Sequence, residues 1–213
     1  MDSSAAHALI APHDASPKRK QVVEAAEALF LANGYGAVSM DAVARSAGVS
    51  KATLYAYFAS KDQLFATIVS ERGVVAQIED LLPDGPVDDL RAAMLRIGER
   101  VLRFMMSART LAIYRITIAE SVRFPELGAA FHAAGPQRFC DRVGGWLAVQ
   151  QNAGLVRADD LEIATQQFMA LMRSGTFLRA TLGLQPAATE QEIVSTVAAA
   201  VDTWLAAFGS ARR

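Results

Sequence analysis

The stretch from Ser39 to Phe58, SMDAVARSAGVSKATLYAYF, constrains this chain more than any other, because it sets two short amphipathic helices on either side of a glycine corner. Ser39 stands where a hydroxyl caps the first helix, and Met40, Val43, Ala44 and Ala47 recur on one helical face. Gly48 ends that helix, since glycine enters the left-handed conformation without a Cβ clash, and Val49 then folds back onto the core. Ser50 caps the second helix, Lys51 to about Phe58. It alternates core candidates Leu54 and Phe58 with Lys51, Thr53, Tyr55 and Tyr57, side chains that meet a phosphate or a base edge. Two such helices form a helix-turn-helix, whose second member fits a DNA major groove.

The flanks sharpen this reading. Pro17 to Gly34 forms a helix whose stripe Val22, Val23, Ala26, Leu29 and Phe30 covers the two short helices. Ser60-Lys61-Asp62-Gln63 has the S-x-x-Q form of a capping box, so a further helix begins at Lys61, with its positive end and the lysine both favouring phosphate. Taken together, AAEALFLANGY, the Ser39–Phe58 segment and SKDQLF, within Lys20 to Phe65, resemble the DNA-binding domain of the TetR family of bacterial transcriptional regulators. The resemblance implies an all-α homodimer with an N-terminal three-helix head that binds DNA and a larger C-terminal body that binds a small ligand and dimerises; most members repress. The expected organisation is a mobile tail over 1–16, a head over 17–72 and a body over 73–213, about nine helices in all.

Length suits one small head plus one larger helical domain, and 52% hydrophobic residues in a chain of 213 can fill a sizeable core. Apolar runs such as LAIYRITIAE are interrupted by Arg115 and Glu120 well short of the roughly 18 residues of a membrane span. The first sixteen residues lack the basic start and apolar run of a secretory signal, so a bacterial cytoplasmic location, nucleoid-associated when DNA-bound, is the simplest expectation. Formal net charge is −1, which says nothing of nucleic acid; between Ser16 and Arg72, seven basic residues face five acidic ones. A focused basic patch is sufficient for phosphate contact.

Within the motif, Lys51, Thr53 and Tyr55 match family positions that approach DNA, with Tyr57 one turn on and Ser50 at the cap. Ser39, Arg45 and Lys61 are expected to hold phosphates rather than read bases. Each also reads as solvated surface, and Tyr55 or Tyr57 as a ring packed between helices. Lys18, Arg19 and Lys20 precede the motif and read equally as backbone contacts or solvated charge.

Beyond the head, the helix from Lys61 is expected to run to Leu82, ahead of Pro83-Asp84-Gly85-Pro86, and to act as a lever between head and body. Helices follow near Asp88–Met106, Arg109–Val122 and Pro125–Gln151. Phe104, Met105, Tyr114, Ile118, Phe131, Phe139 and Trp146 on their apolar faces are candidates for lining a ligand cavity, although a stripe of this kind is more often plain core. Arg115, Glu120, His132 and Arg138 are candidate ligand anchors. Cys140, the lone cysteine, lacks a resolving partner and reads more readily as a buried apolar residue than as a thiol sensor.

The last two helices, about Asp160–Leu182 and one opening at Thr189 with Glu192 three residues on, carry the stripes Phe168, Leu171, Met172 and Gly175, and Val197, Val201 and Trp204. Mostly on the strength of the resemblance these are expected to dimerise as a four-helix interface, the alternative being packing inside one protomer. No nucleophile with a base, metal set or phosphate-cradling glycine loop is present, so neither enzyme activity nor a metal or cofactor is expected. The expected function is a homodimeric repressor that binds a pseudo-palindromic double-stranded operator and is released by a small apolar or amphipathic effector. The alternative is a helix-turn-helix activator or co-regulator without ligand control.

Overall fold

The structure, a computed structural model, describes residues 16–71, 73–185 and 188–210. The expected tail through residue 15, Arg72 and Pro186 lie outside the described residues. Four helices build the N-terminal part: α1 (Pro17–Asn33), α2 (Met40–Ser46), α3 (Lys51–Tyr57) and α4 (Lys61–Glu71). Their boundaries follow local chemistry. The Ser39 and Ser50 hydroxyls each accept the amide three residues on, from Ala42 and Thr53, both at 3.1 Å. Gly48 takes φ +64° at the corner, which lets Val49 return its amide to the Ala44 carbonyl at 3.0 Å. Val22, Ala26 and Phe30 of α1, Val43 of α2, Leu54 of α3 and Phe65 of α4 share one core.

The rest of the chain comprises α5 (Val74–Ile78), a 3₁₀ turn (Glu79–Leu81), α6 (Leu90–Met105), α7 (Ala108–Glu120), α8 (Pro125–His132), a π-turn (Ala133–Gln137), α9 (Arg138–Asn152), α10 (Leu161–Met172), α11 (Gly175–Thr181) and α12 (Glu190–Phe208). α12 opens with the capping box expected at Thr189 and Glu192, both reciprocal bonds being formed. The described residues hold twelve α-helices in an all-α fold, three more than the nine or so expected because three expected helices are each interrupted.

Those interruptions depart from the sequence reading. The lever expected as one helix over 61–82 ends at Glu71, and Gly73 restarts the chain in extended geometry ahead of α5. A Cβ on Gly73 would collide with the Val69 carbonyl, so the close turn requires glycine. The expected helix 125–151 contains the π-turn, where Pro136 supplies no N–H to the ladder. The expected helix 160–182 breaks at Arg173-Ser174, beside Gly175, where two weak helix formers meet.

A second core in the body gathers Met94, Ile97 and Val101 of α6, Trp146 of α9, Phe168 of α10 and Val201 of α12. The head core does not stop at the expected boundary, since Ile113 of α7 and Leu127 of α8 are buried within it.

Candidate nucleic-acid interface and internal cavity

α3 presents Lys51, Ala52, Tyr55 and Ala56 to solvent, with Tyr55 49% exposed, while Leu54 is fully buried beneath them. Sequence reasoning missed Ala52 and Ala56. Their small side chains leave the helix backbone open to close approach, and the signal was their spacing of one turn on the face opposite Leu54. The Lys51 ammonium pairs with Asp41 of α2, which ties the two helices of the motif together. The Ser50 and Thr53 hydroxyls lie 2.8 Å apart and half-bury Thr53 at the start of α3. Ser39 and Arg45, at the start and in the last turn of α2, are also exposed.

Other expected DNA contacts have additional tasks. The Tyr57 ring packs partly against the head core, and its hydroxyl meets Ser16 Oγ at 2.9 Å. Arg19 pairs with Glu71 and lies over the Phe58 ring, so it holds α1 to α3 and α4. The Lys61 ammonium donates to the carbonyls of Tyr35 at 2.9 Å and Val38 at 3.0 Å and sits 4.1 Å from the centre of the Tyr35 ring. Two of its three N–H groups are thus committed within the head. Burial lowers its pKa, partly offset by Glu120 and Glu126. The Tyr35 hydroxyl is shifted the opposite way, its pKa raised by burial and by the carboxylates of Asp62, Glu126 and Glu120.

Head and body are joined by polar contacts between residues distant in sequence. Glu120 at the end of α7 accepts the amides of Tyr35 at 2.7 Å and Gly36 at 2.5 Å. Arg109, at the start of α7, pairs with Glu27 of α1, whose side chain is only 8% exposed, and also reaches the Ile68 carbonyl of α4. Of the expected ligand anchors, Glu120 therefore serves this joint, Arg115 caps the α11 carbonyls of Ala180 and Thr181, and His132 and Arg138 are exposed.

Beside this joint lies a mainly apolar cavity of about 70 Å³. Ile68 and Val69 of α4, Phe104 and Met105 of α6, Arg109, Ile113 and Tyr114 of α7, Phe131 of α8, Pro136 of the π-turn, Met169 and Arg173 of α10 and Phe177 of α11 border it. Four expected lining residues, Phe104, Met105, Tyr114 and Phe131, meet there. Ile118 instead borders a neighbouring surface groove with His132 and Cys140. Phe139 and Trp146 are a correction: both are buried in the body core and border neither space, α9 packing chiefly against α10. Burial raises the pKa of the Cys140 thiol, with Asp141 and Glu162 adding to the effect.

The stripes expected to dimerise need the same correction. Phe168, Met172, Val197, Val201 and Trp204 are at most 1% exposed and fill their own protomer's core, with Trp204 Nε1 donating to the Ala164 carbonyl at 2.7 Å. Leu171 is half-buried against that core, and Gly175 alone of the set is exposed. Gly98 of α6 allows Val197 to press against its backbone, which draws α12 inward. The large apolar side chains left outside on the last helices and the turn after α11 are Ile163, Leu178, Leu182, Leu184 and Val194.

Among the described residues, no helix is long and apolar enough to cross a membrane, and no group of His, Cys, Asp and Glu side chains is placed to hold a metal ion.

Residues 22–68 match the family model for bacterial regulatory proteins of the tetR family, and residues 92–210 match the C-terminal domain of AefR-like transcriptional repressors. The HTH-type transcriptional regulator UidR of Escherichia coli K12 is 38% identical over 56 residues, 26% of this chain and 29% of UidR, so that likeness is confined to a segment. The solved structure of the flavonoid-responsive regulator FrrA is 38% identical with a TM-score of 0.69, covering 90% of this chain and 97% of FrrA. A TetR family regulator from Pseudomonas syringae pv. tomato DC3000 is 26% identical with a TM-score of 0.71, covering 92% and 99%. A helix-turn-helix head locked onto a helical body, with both parts matched by one family, makes this chain a DNA-binding transcriptional regulator that belongs to the TetR family.

Proposed function

We propose that two copies of this chain bind a pseudo-palindromic operator as a repressor and that a small apolar or amphipathic molecule in the cavity releases them. The observation that carries this reading is the shared wall: Ile68 and Val69 of α4 border the cavity and also belong to the helix that follows the DNA-facing motif. A cavity of about 70 Å³ is far below the roughly 300 Å³ of an ordinary small-molecule site. An effector must therefore part its walls or extend into the adjoining groove, which shares Tyr114, Phe131, Met169 and Arg173, and two of the cavity's walls, α4 and α7, also hold the head. Entry is then coupled to head position, and the coupling is reciprocal between effector and operator, typically about 1 to 3 kcal/mol. The likeness to AefR-like repressors supports repression, and that to FrrA supports a flat aromatic molecule as a first effector to try.

Family members bind DNA and act as dimers. In this chain the dimer surface falls on the outer faces of the last helices, where Ile163, Leu178, Leu182 and Val194 stand exposed beside small residues such as Ala170 and Ala199. A twofold dimer places its recognition helices to read half-sites about 34 Å apart.

Selection of bound fragments from random and genomic DNA at a stated salt concentration tests the reading. An enriched inverted repeat, weakened in binding by a flavonoid panel or another apolar panel, supports it. Enrichment with no compound able to weaken binding removes the effector half. Absence of enrichment from a folded protein removes the operator half.

A further inference from the structure

Arg109 belongs to two sites at once. Arg109 borders the cavity, whose lining is otherwise mostly apolar apart from Thr110 and Arg173, and its partner Glu27 lies nearly buried in α1 of the head. The guanidinium already holds one oxygen of a carboxylate through its Nε, and its planar fork has the donors to take a second carboxylate. We propose that the effector is an organic acid, an apolar skeleton carrying one carboxylate, and that this carboxylate competes with Glu27 for Arg109. The proposal rests on the cavity being the effector site and names both the chemical class of its occupant and the contact through which it acts.

The competition supplies what a switch requires, a ligand with unequal affinity for two states. With the head docked, Arg109 is shared between Glu27 and the Ile68 carbonyl. Turning the guanidinium into the cavity weakens the tie between α7 and α1 and leaves Glu27, in a largely dry position, with a poorer electrostatic environment. The acid therefore binds better when the head is released. A neutral analogue fills the same apolar space without touching this tie.

The test uses the full chain with biphenyl-4-carboxylate and dodecanoate, each paired with its methyl ester as a neutral match. Binding is measured by calorimetry on wild type, Arg109→Gln and Glu27→Gln, with thermal melts establishing that each variant is folded. The acids are expected to bind wild type at least about tenfold tighter than the esters, and Arg109→Gln to erase that preference. Glu27→Gln keeps the size and a hydrogen-bond acceptor but removes the competing charge, so the acids should bind it about fivefold or more tighter than wild type. A purely structural Arg109–Glu27 pair would produce no such tightening, and this variant decides the matter even if Arg109→Gln fails to fold. Esters binding as well as acids, no tightening in Glu27→Gln, or no acid binding at millimolar concentration each overturns the proposal. An acid that binds yet leaves affinity for the selected operator unchanged overturns the competition. Release of the operator by esters alone overturns the acid while leaving the repressor reading intact.

Discussion

The main-chain N–H of Tyr35 is held by the carboxylate of Glu120, 85 residues away in sequence, at 2.7 Å. The neighbouring Gly36 amide is bonded by the other oxygen of the same group. This fastens the turn after α1 to the end of α7. A hydrogen bond to a charged group typically contributes about 1.5 to 3 kcal/mol, and Glu120→Ala removes two of them from a half-buried site. Water partly replaces the carboxylate at this half-buried site, so we expect a loss below the sum of two such bonds, about 1.5 to 3 kcal/mol in urea unfolding. An unchanged midpoint would show that water replaces the carboxylate at no cost.

The basic residues of the head separate by contact type. Arg45 is exposed, so Arg45→Ala should lower the slope of log K against log salt by about one while leaving sequence preference intact. Lys51→Ala, at the start of α3, should relax preference at one base pair at a cost of about 1 to 3 kcal/mol. Lys61→Ala should act first on stability, because its ammonium bonds the Tyr35 and Val38 carbonyls. Parallel melts and salt titrations of the three variants distinguish these outcomes; a Lys61→Ala protein with an unaltered melt and a reduced slope would assign that lysine to phosphate alone.

Oligomerisation offers a sharper contrast. Leu178 is 57% exposed whereas Val197 is fully buried, although both lie on the last helices. Leu178→Glu combined with Val194→Glu should give a folded monomer by light scattering with strongly reduced operator affinity. Val197→Glu should instead unfold the body, since it places a charge in an apolar core. A dimer that survives the double substitution would move the interface elsewhere.

Thiol chemistry gives a pH-dependent expectation. The Cys140 pKa is raised above its ordinary 9.0, chiefly by burial, so the reactive thiolate is scarce at neutral pH. Alkylation by iodoacetamide should be slower than for a free thiol at pH 7 and should still be accelerating as pH passes 9. Fast labelling at pH 7 would reopen a sensing role.

What the sequence revealed and what it concealed divides along physical lines. Ser39, Gly48, Ser50 and the Thr189–Glu192 box act within a few residues of themselves, so their roles were readable before any packing was known. Gly73 looked like one more residue of a long helix, because its constraint is the approach of the Val69 carbonyl. Phe168 and Trp204 follow the alternative reading, packing inside one protomer, because a stripe repeating every 3.6 residues is identical whether it faces its own protomer or a second one. Lys61 reads from sequence as a phosphate ligand alone, because its cradle is made of main-chain carbonyls, which no side-chain pattern records. Arg109 and Glu27 stand 82 residues apart, and nothing in either neighbourhood announces the other.

Ile113 and Leu127 complete the core of the head from the body. A fragment ending near residue 72 would expose the surface those side chains cover, so the part that touches DNA is not a portable cassette. Redirecting such a regulator to a new promoter by exchanging the whole head with a relative would import a mismatched seam along α7 and α8. Grafting only the outward residues of α3 would leave that seam untouched, so the exposed face at Lys51, Ala52, Tyr55 and Ala56 is the smallest unit of exchange to try.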